Sequence, residues 1–258
     1  MLRPVLGKVY LVGAGPGKPD LITVRGLELL READVVIYDR LVHPSLVGEA
    51  PAAAIRIFVG KSSGSHTLPQ EEINDLLIAY ARCGRQVVRL KGGDPFIFGR
   101  GGEEVEALGN AGVPYEVVPG VSSAIAAPAY AGIPLTHREY SSSVAIVTGH
   151  KACGGSAVKW EQLAAAVDTL VILMGLGNLK ENMSRLMAGG CEAERPVALV
   201  RWGTRASQEI LVGTIADMAE QRNFSSPAVI VVGDVVRFSN RLHFSTSPFA
   251  NEHFPAHQ

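Results

Sequence analysis

Apolar residues in the first half of the chain fall in runs of four or five. Stretches with apolar positions every three or four residues separate most of these runs. The runs at 9–12, 34–38, 55–59, 86–90 and 115–118 are rich in Val, Ile and Leu and nearly unbroken, as strands buried on both faces are. Helical spacing marks 21–32, 69–82, 103–111 and 123–130. A second series starts at Ser143, with strands expected at 144–148, 169–174, 197–200, 208–212 and 228–232 and helices at 160–166, 178–187 and 215–221. Strand and helix taking turns is the pattern of an α/β sheet. Between the two series, residues 132–140 carry proline and polar residues without a period. The expectation is an α/β protein of two domains, 1–135 and 143–258, joined by a linker at 136–142, with a ligand cleft between them. The tail after Asn240 has no period and is expected to be partly loose.

Composition narrows the class. Hydrophobic residues make up 47% and charged residues 19% of 258, as in a soluble globular protein. The formal net charge is −1 and the pI about 6.7, so no global basic field invites nucleic acid. Arginines nevertheless outnumber lysines, and a local cluster of them could hold carboxylates. Cys83, Cys153 and Cys191 are far apart and form no Cys-x-x-Cys, which argues against a zinc site or a disulfide framework and for a reducing compartment. The sequence opens on no charged-then-apolar leader, and no apolar run approaches the roughly 20 residues that cross a bilayer. A cytoplasmic protein without metal is expected.

The densest chemistry lies at 88–104, VRLKGGDPFIFGRGGEE. Gly92 and Gly93 follow a strand and let the backbone approach a ligand, Asp94 can accept from a ribose or an amine, and Arg100 stands between an apolar Phe96-Ile97-Phe98 wall and a helix start near Glu103. Gly13-Ala14-Gly15-Pro16-Gly17 follows the first strand, as a dinucleotide fingerprint would. Lys18 stands where the third glycine belongs, and Pro16 has no amide hydrogen for a pyrophosphate. Asp39, Arg40 and Lys61 end or follow strands, Arg138 lies in the linker, and His150 follows the first strand of the second half. Ser122 and Ser123 open a small-residue helix, where a hydroxyl caps. Met174 before Gly175 offers an apolar shelf, and Trp202-Gly203 follows a later strand.

Taken with VGAGPGKPDLITVRG, DVVIYDRLV, VVPGVSSAIAAPAYAGIPLTHREY, VTGH, LVILMG, PVALVRWGT and SPAVIVVG, the central string resembles the tetrapyrrole methylase family over residues 8–240. The resemblance implies a two-domain tetrapyrrole methylase-like fold, distinct from the Rossmann methyltransferases, and a homodimer. It also implies transfer of methyl groups from S-adenosylmethionine to carbons 2 and 7 of uroporphyrinogen III. The products would be precorrin-2 and S-adenosylhomocysteine, on the way to sirohaem, cobalamin or haem d1. By the same likeness Pro16, Gly92, Gly93, Asp94, Ile97, Ser122, Ser123, Met174, Trp202, Gly203 and Ala228 hold the methyl donor. Arg40, Arg100, Glu103, Arg138 and His150 hold the substrate, and Arg100, Asp39 and Lys61 are the catalytic candidates. The sequence has Ser122-Ser123 where the family often has Thr-Ala.

Overall fold

Among the described residues, ten strands form two separate five-stranded sheets. The computed structural model describes residues 6–60, 68–150 and 158–240. Lys61, Cys153 and the expected loose tail lie outside the described residues. The first sheet is parallel, in the order β3-β2-β4-β1-β5, from β1 (Lys8–Gly13), β2 (Val35–Tyr38), β3 (Ile55–Phe58), β4 (Gln86–Lys91) and β5 (Tyr115–Val118). Successive side chains point to opposite faces, so Val9 and Leu11 pack with Leu77 of α3 (Gln70–Arg82) and Leu108 of α4 (Gly101–Asn110). Val12 packs with Leu29 and Leu30 of α1 (Val24–Arg31) on the other face. Helices on both faces explain why β1 and β2 are apolar and buried along most of their length.

The second sheet runs β6-β7-β10-β8-β9, from β6 (Val144–Thr148), β7 (Thr169–Leu173), β8 (Pro196–Arg201), β9 (Glu209–Thr214) and β10 (Ala228–Val232). Only the β6–β7 pair is parallel; β7–β10, β10–β8 and β8–β9 are antiparallel. One face carries Leu170, Ile172, Leu199 and Ile230 under α6 (Trp160–Ala166), α7 (Leu179–Ala188) and α8 (Ile215–Glu220). The opposite face carries Val171, Ala198, Val200 and Val229 under Ala124 and Ala127 of α5 (Ser123–Tyr130). That helix follows β5 in the chain but packs on the second sheet, and Ile133 is buried in the same cluster. Its alanines let the helix lie close to the strands.

Two starts differ from the periodicity. Helix α1 begins at Val24, where the Thr23 side chain accepts from the Gly26 amide, after a separate 3-10 turn at Pro19–Leu21. Helix α4 begins at Gly101 rather than near Glu103, because Arg100 takes a left-handed conformation and ends the loop. The five-residue α2 (Pro44–Gly48) is too short to leave a period. No helix among the described residues is long and apolar enough to cross a membrane.

Candidate active site

In a parallel sheet the loops after the strands gather at one end, and here those after β1, β4 and β5 are packed backbone to backbone. A Cβ on Gly13 would stand 2.5 Å from the Gly120 Cα, and one on Gly120 would stand 2.3 Å from the Gly93 carbonyl oxygen. The Gly15 and Gly93 amides donate to each other's carbonyls at 3.2 and 2.8 Å. The glycines thus bring three loops into contact with one another, a role the ligand-approach argument did not foresee. Gly92 remains nearly open, a Cβ there meeting only Leu41 closely, at 3.2 Å.

The Asp94 carboxylate is engaged by the backbone. One oxygen accepts from the Phe96 and Ile97 amides at 2.8 and 3.2 Å, and the other from the Gly120 amide at 3.0 Å. It therefore staples its own loop to the β5 loop. Arg100, exposed at the N-cap of α4, forks onto Glu103 at 2.8 and 2.6 Å. That bond raises the guanidinium pKa above its ordinary value and lowers that of Glu103. Arg100 therefore stays cationic, a form that can grip an anion.

Beneath these loops lies an ion network that sequence reasoning missed. Arg89 and Lys91 lie two apart on β4, hence on one face, and Glu104 of α4 covers them. Glu104 is 0% exposed, and its Oε1 accepts from Arg89 Nε at 3.0 Å, Lys91 Nζ at 2.9 Å and Gln70 Nε2 at 3.3 Å. Its Oε2 is buried with no hydrogen-bond partner among the described residues. Arg89 reaches on to Asp39 Oδ1 at 2.6 Å, at the rim of the site. Burial pushes the Lys91 pKa down, whereas Asp39 and Glu104 together outweigh burial and raise that of Arg89. The signal was partial: Arg89 and Lys91 stand among the buried positions of β4, but nothing in the strand itself names Glu104 as their partner.

Because β10 runs antiparallel, its first residue meets the last residues of β7 and β8: Ala228 pairs with Arg201, and Val229 with Leu173. Met174, Trp202, Ala228 and His150 therefore gather at one end of the second sheet. Met174 is 55% exposed and so is not core. Among the described residues, five non-glycine residues have positive φ, Phe98, Arg100, Met174, Trp202 and Thr204, all in strand-end loops. Such strained conformations collect at functional sites. The two sets of loops meet directly, since the Lys18 amide donates to Thr204 Oγ1 at 3.1 Å and Arg205 Nη2 to the Leu41 carbonyl at 2.7 Å. A Cβ on Gly203 would stand 2.4 Å from that of Ala127.

Other candidates separate. Ser122 caps α5 through the Ala124 amide at 3.2 Å and is buried, and Ser123 is the first residue of the helix. Arg40 is exposed beside Gly60, whose Cβ would stand 2.5 Å from the Arg40 nitrogen, and Pro16 and Ile97 lie in loops of the same end. Arg138 is exposed and precedes β6, whereas His150 follows it. The whole of β6 thus lies between these two cations along the chain. No cluster of metal-ligating residues occurs among the described residues.

Comparison with known proteins places this geometry. A profile describing tetrapyrrole (corrin/porphyrin) methylases matches residues 8–219. The chain belongs to the tetrapyrrole methylase family. It is 52% identical over 238 residues to the uroporphyrinogen-III C-methyltransferase of Priestia megaterium, covering 91% of this chain and all of that one. It is also 51% identical over 240 residues to the siroheme synthase of Azotobacter vinelandii, covering 92% of this chain but spanning only 52% of that longer protein. A crystal structure of uroporphyrin-III C-methyltransferase from Thermus thermophilus, complexed with S-adenosylhomocysteine, superposes with a TM-score of 0.79 at 42% identity, over 90% of this chain and 99% of that one.

Proposed function

We propose that this chain transfers methyl groups from S-adenosylmethionine to carbons 2 and 7 of uroporphyrinogen III, giving precorrin-2 and S-adenosylhomocysteine. The observation that carries the reading is the meeting of two strand-end sets, a glycine-packed one from the parallel sheet and the Met174–Trp202–Ala228 end of the mixed sheet. The fit to a sulfonium nucleoside rests on this chain's own surfaces. Gly92 leaves backbone open, and Ile97 and Met174 expose apolar side chains suited to an adenosine. The donor supplies an electrophilic methyl group, so the protein need only align it with an electron-rich pyrrole carbon at about 3–3.5 Å and exclude water.

In this reading Arg40, Arg100, Arg138 and His150 hold the carboxylates of the macrocycle. Glu103 orients the Arg100 fork, which suits planar carboxylates. Asp39 accepts the proton released from the methylated ring; Arg89 fixes one of its oxygens and leaves the other for that task. Pro16, Gly93, Ser122, Ser123, Gly203 and Ala228 complete the donor's surroundings, with Asp94 acting through the loops it staples. Lys61 is proposed as the acid on the resemblance alone. The working unit is proposed as a cytoplasmic homodimer of two-domain chains feeding sirohaem, cobalamin or haem d1 synthesis, and light scattering in solution tests the dimer. Mass analysis of uroporphyrinogen III incubated with the protein and S-adenosylmethionine is expected to show two added methyl groups. One methyl group, or none, overturns the assignment.

A further inference from the structure

Arg205 was not singled out by its sequence, and it links its own loop to two others. It lies on the connection between β8 and β9, and its Nη2 donates to the Leu41 carbonyl, 164 residues away in the chain, at 2.7 Å. The guanidinium lies over the Trp202 ring, 4.7 Å from its centroid. Its stem fills the space over Gly17, where a Cβ would stand 2.7 Å from Nε and 3.0 Å from Cγ. Gly17 has φ +149, a conformation open to glycine, so the β1 loop is shaped to admit this arginine. Burial lowers the Arg205 pKa from its ordinary value, as for a cation held partly out of water.

Leu41 is an inner residue of the turn that carries Asp39 and Arg40, closed by the Val42 amide donating to the Asp39 carbonyl at 3.3 Å, and it lies against Gly92 of the β4 loop. From these contacts we infer that Arg205 is a positioning residue. It clasps the Asp39–Arg40 turn to the Trp202 end of the second sheet and so sets the alignment between the substrate's carboxylate holders and the methyl donor. The inference rests on the proposed methyl transfer. A guanidinium suits the task because it can stack on an aromatic ring and donate in its own plane at once. A misplacement of about 1 Å at such a distance costs up to about 100-fold in rate.

The test compares wild type with Arg205→Met and Arg205→Lys. Methionine keeps an apolar stem over Gly17 and against Trp202 but removes the donor; lysine keeps a donor without the planar fork. Wild type must first methylate uroporphyrinogen III, which tests the reading beneath this one. Arg205→Met is then expected to lower kcat by about 10–100-fold and to raise the KM for uroporphyrinogen III, with a melting temperature and S-adenosylhomocysteine affinity near wild type. Arg205→Lys is expected to recover part of the rate. An active wild type whose Arg205→Met variant turns over within twofold of it overturns the inference. So does a lysine variant no better than methionine, or a rate loss matched by loss of the fold in both variants.

Discussion

Glu104 balances two buried cations through a single oxygen, with its second oxygen unpartnered among the described residues. Removing one partner of a buried ion cluster leaves the others uncompensated, and such losses run to about 3–5 kcal/mol. Glu104→Ala is therefore expected to destabilise the protein by about that amount in denaturant unfolding. A change within about 0.5 kcal/mol, ordinary for a surface site, would show that the cluster contributes nothing. Arg100 lies at the other extreme, exposed and paired with Glu103 three residues on. Arg100→Ala is expected to slow methyl transfer by at least about tenfold, the worth of one charge-assisted bond, while S-adenosylhomocysteine affinity holds within about twofold. Lysine should rescue it poorly, for want of the fork. At this scale the rim residues were legible because glycine, charge and strand ends coincide along the chain. Arg89, Lys91 and Glu104 were not, since only the packing of α4 over β4 makes them one group.

Individual elements were legible where apolar runs decide them: all ten strands named above appear close to the expected positions, including the largely exposed β3 and β9. Strand direction leaves no such trace, and that is why the antiparallel pairing of β10 had to be seen. The placement of α5 was hidden for a similar reason, since Ala124 and Ala127 say that a neighbour is near without saying which sheet it belongs to. One element boundary has a clear pH consequence. Asp168, just before β7, accepts from the Ser142 amide and hydroxyl at 2.8 and 2.9 Å and from the Ser143 amide and hydroxyl at 3.1 and 3.0 Å, tying the start of β6 to β7. These bonds, led by that of the Ser142 amide, lower its pKa. The carboxylate form is the one the fold favours, so its stabilisation is present above the unfolded value of about 3.9 and lost as pH falls through the folded one. Melting temperatures followed from pH 5 downward (about one unit above the unfolded value) should fall less steeply for Asp168→Asn than for wild type below that value. Parallel curves would remove Asp168 from the acid response.

Across the whole molecule, the loops of the two sheets meet through the Lys18–Thr204 and Arg205–Leu41 bonds, and Gly203 packs closely on α5. A Cβ at Gly203 would stand 2.4 Å from the Cβ and 2.8 Å from the Cα of Ala127, so backbone must move to admit even alanine. Overpacking of this kind costs about 1–3 kcal/mol. It would also displace the Trp202–Thr204 turn, whose Thr204 oxygen accepts from the Lys18 amide, from the β1 loop. A ligand that fills the space between the two sets of loops gains from both only while they stay in register. S-adenosylhomocysteine at about 100 times its Kd should stabilise wild type by about 2.7 kcal/mol, or about 5–10 °C in a chain of this size. Gly203→Ala is expected to melt lower without ligand and to show less than half of that shift at the same ligand concentration. A variant that melts lower but keeps the full shift would place the ligand on one set of loops alone, and the Met174–Trp202–Ala228 end would then need another role.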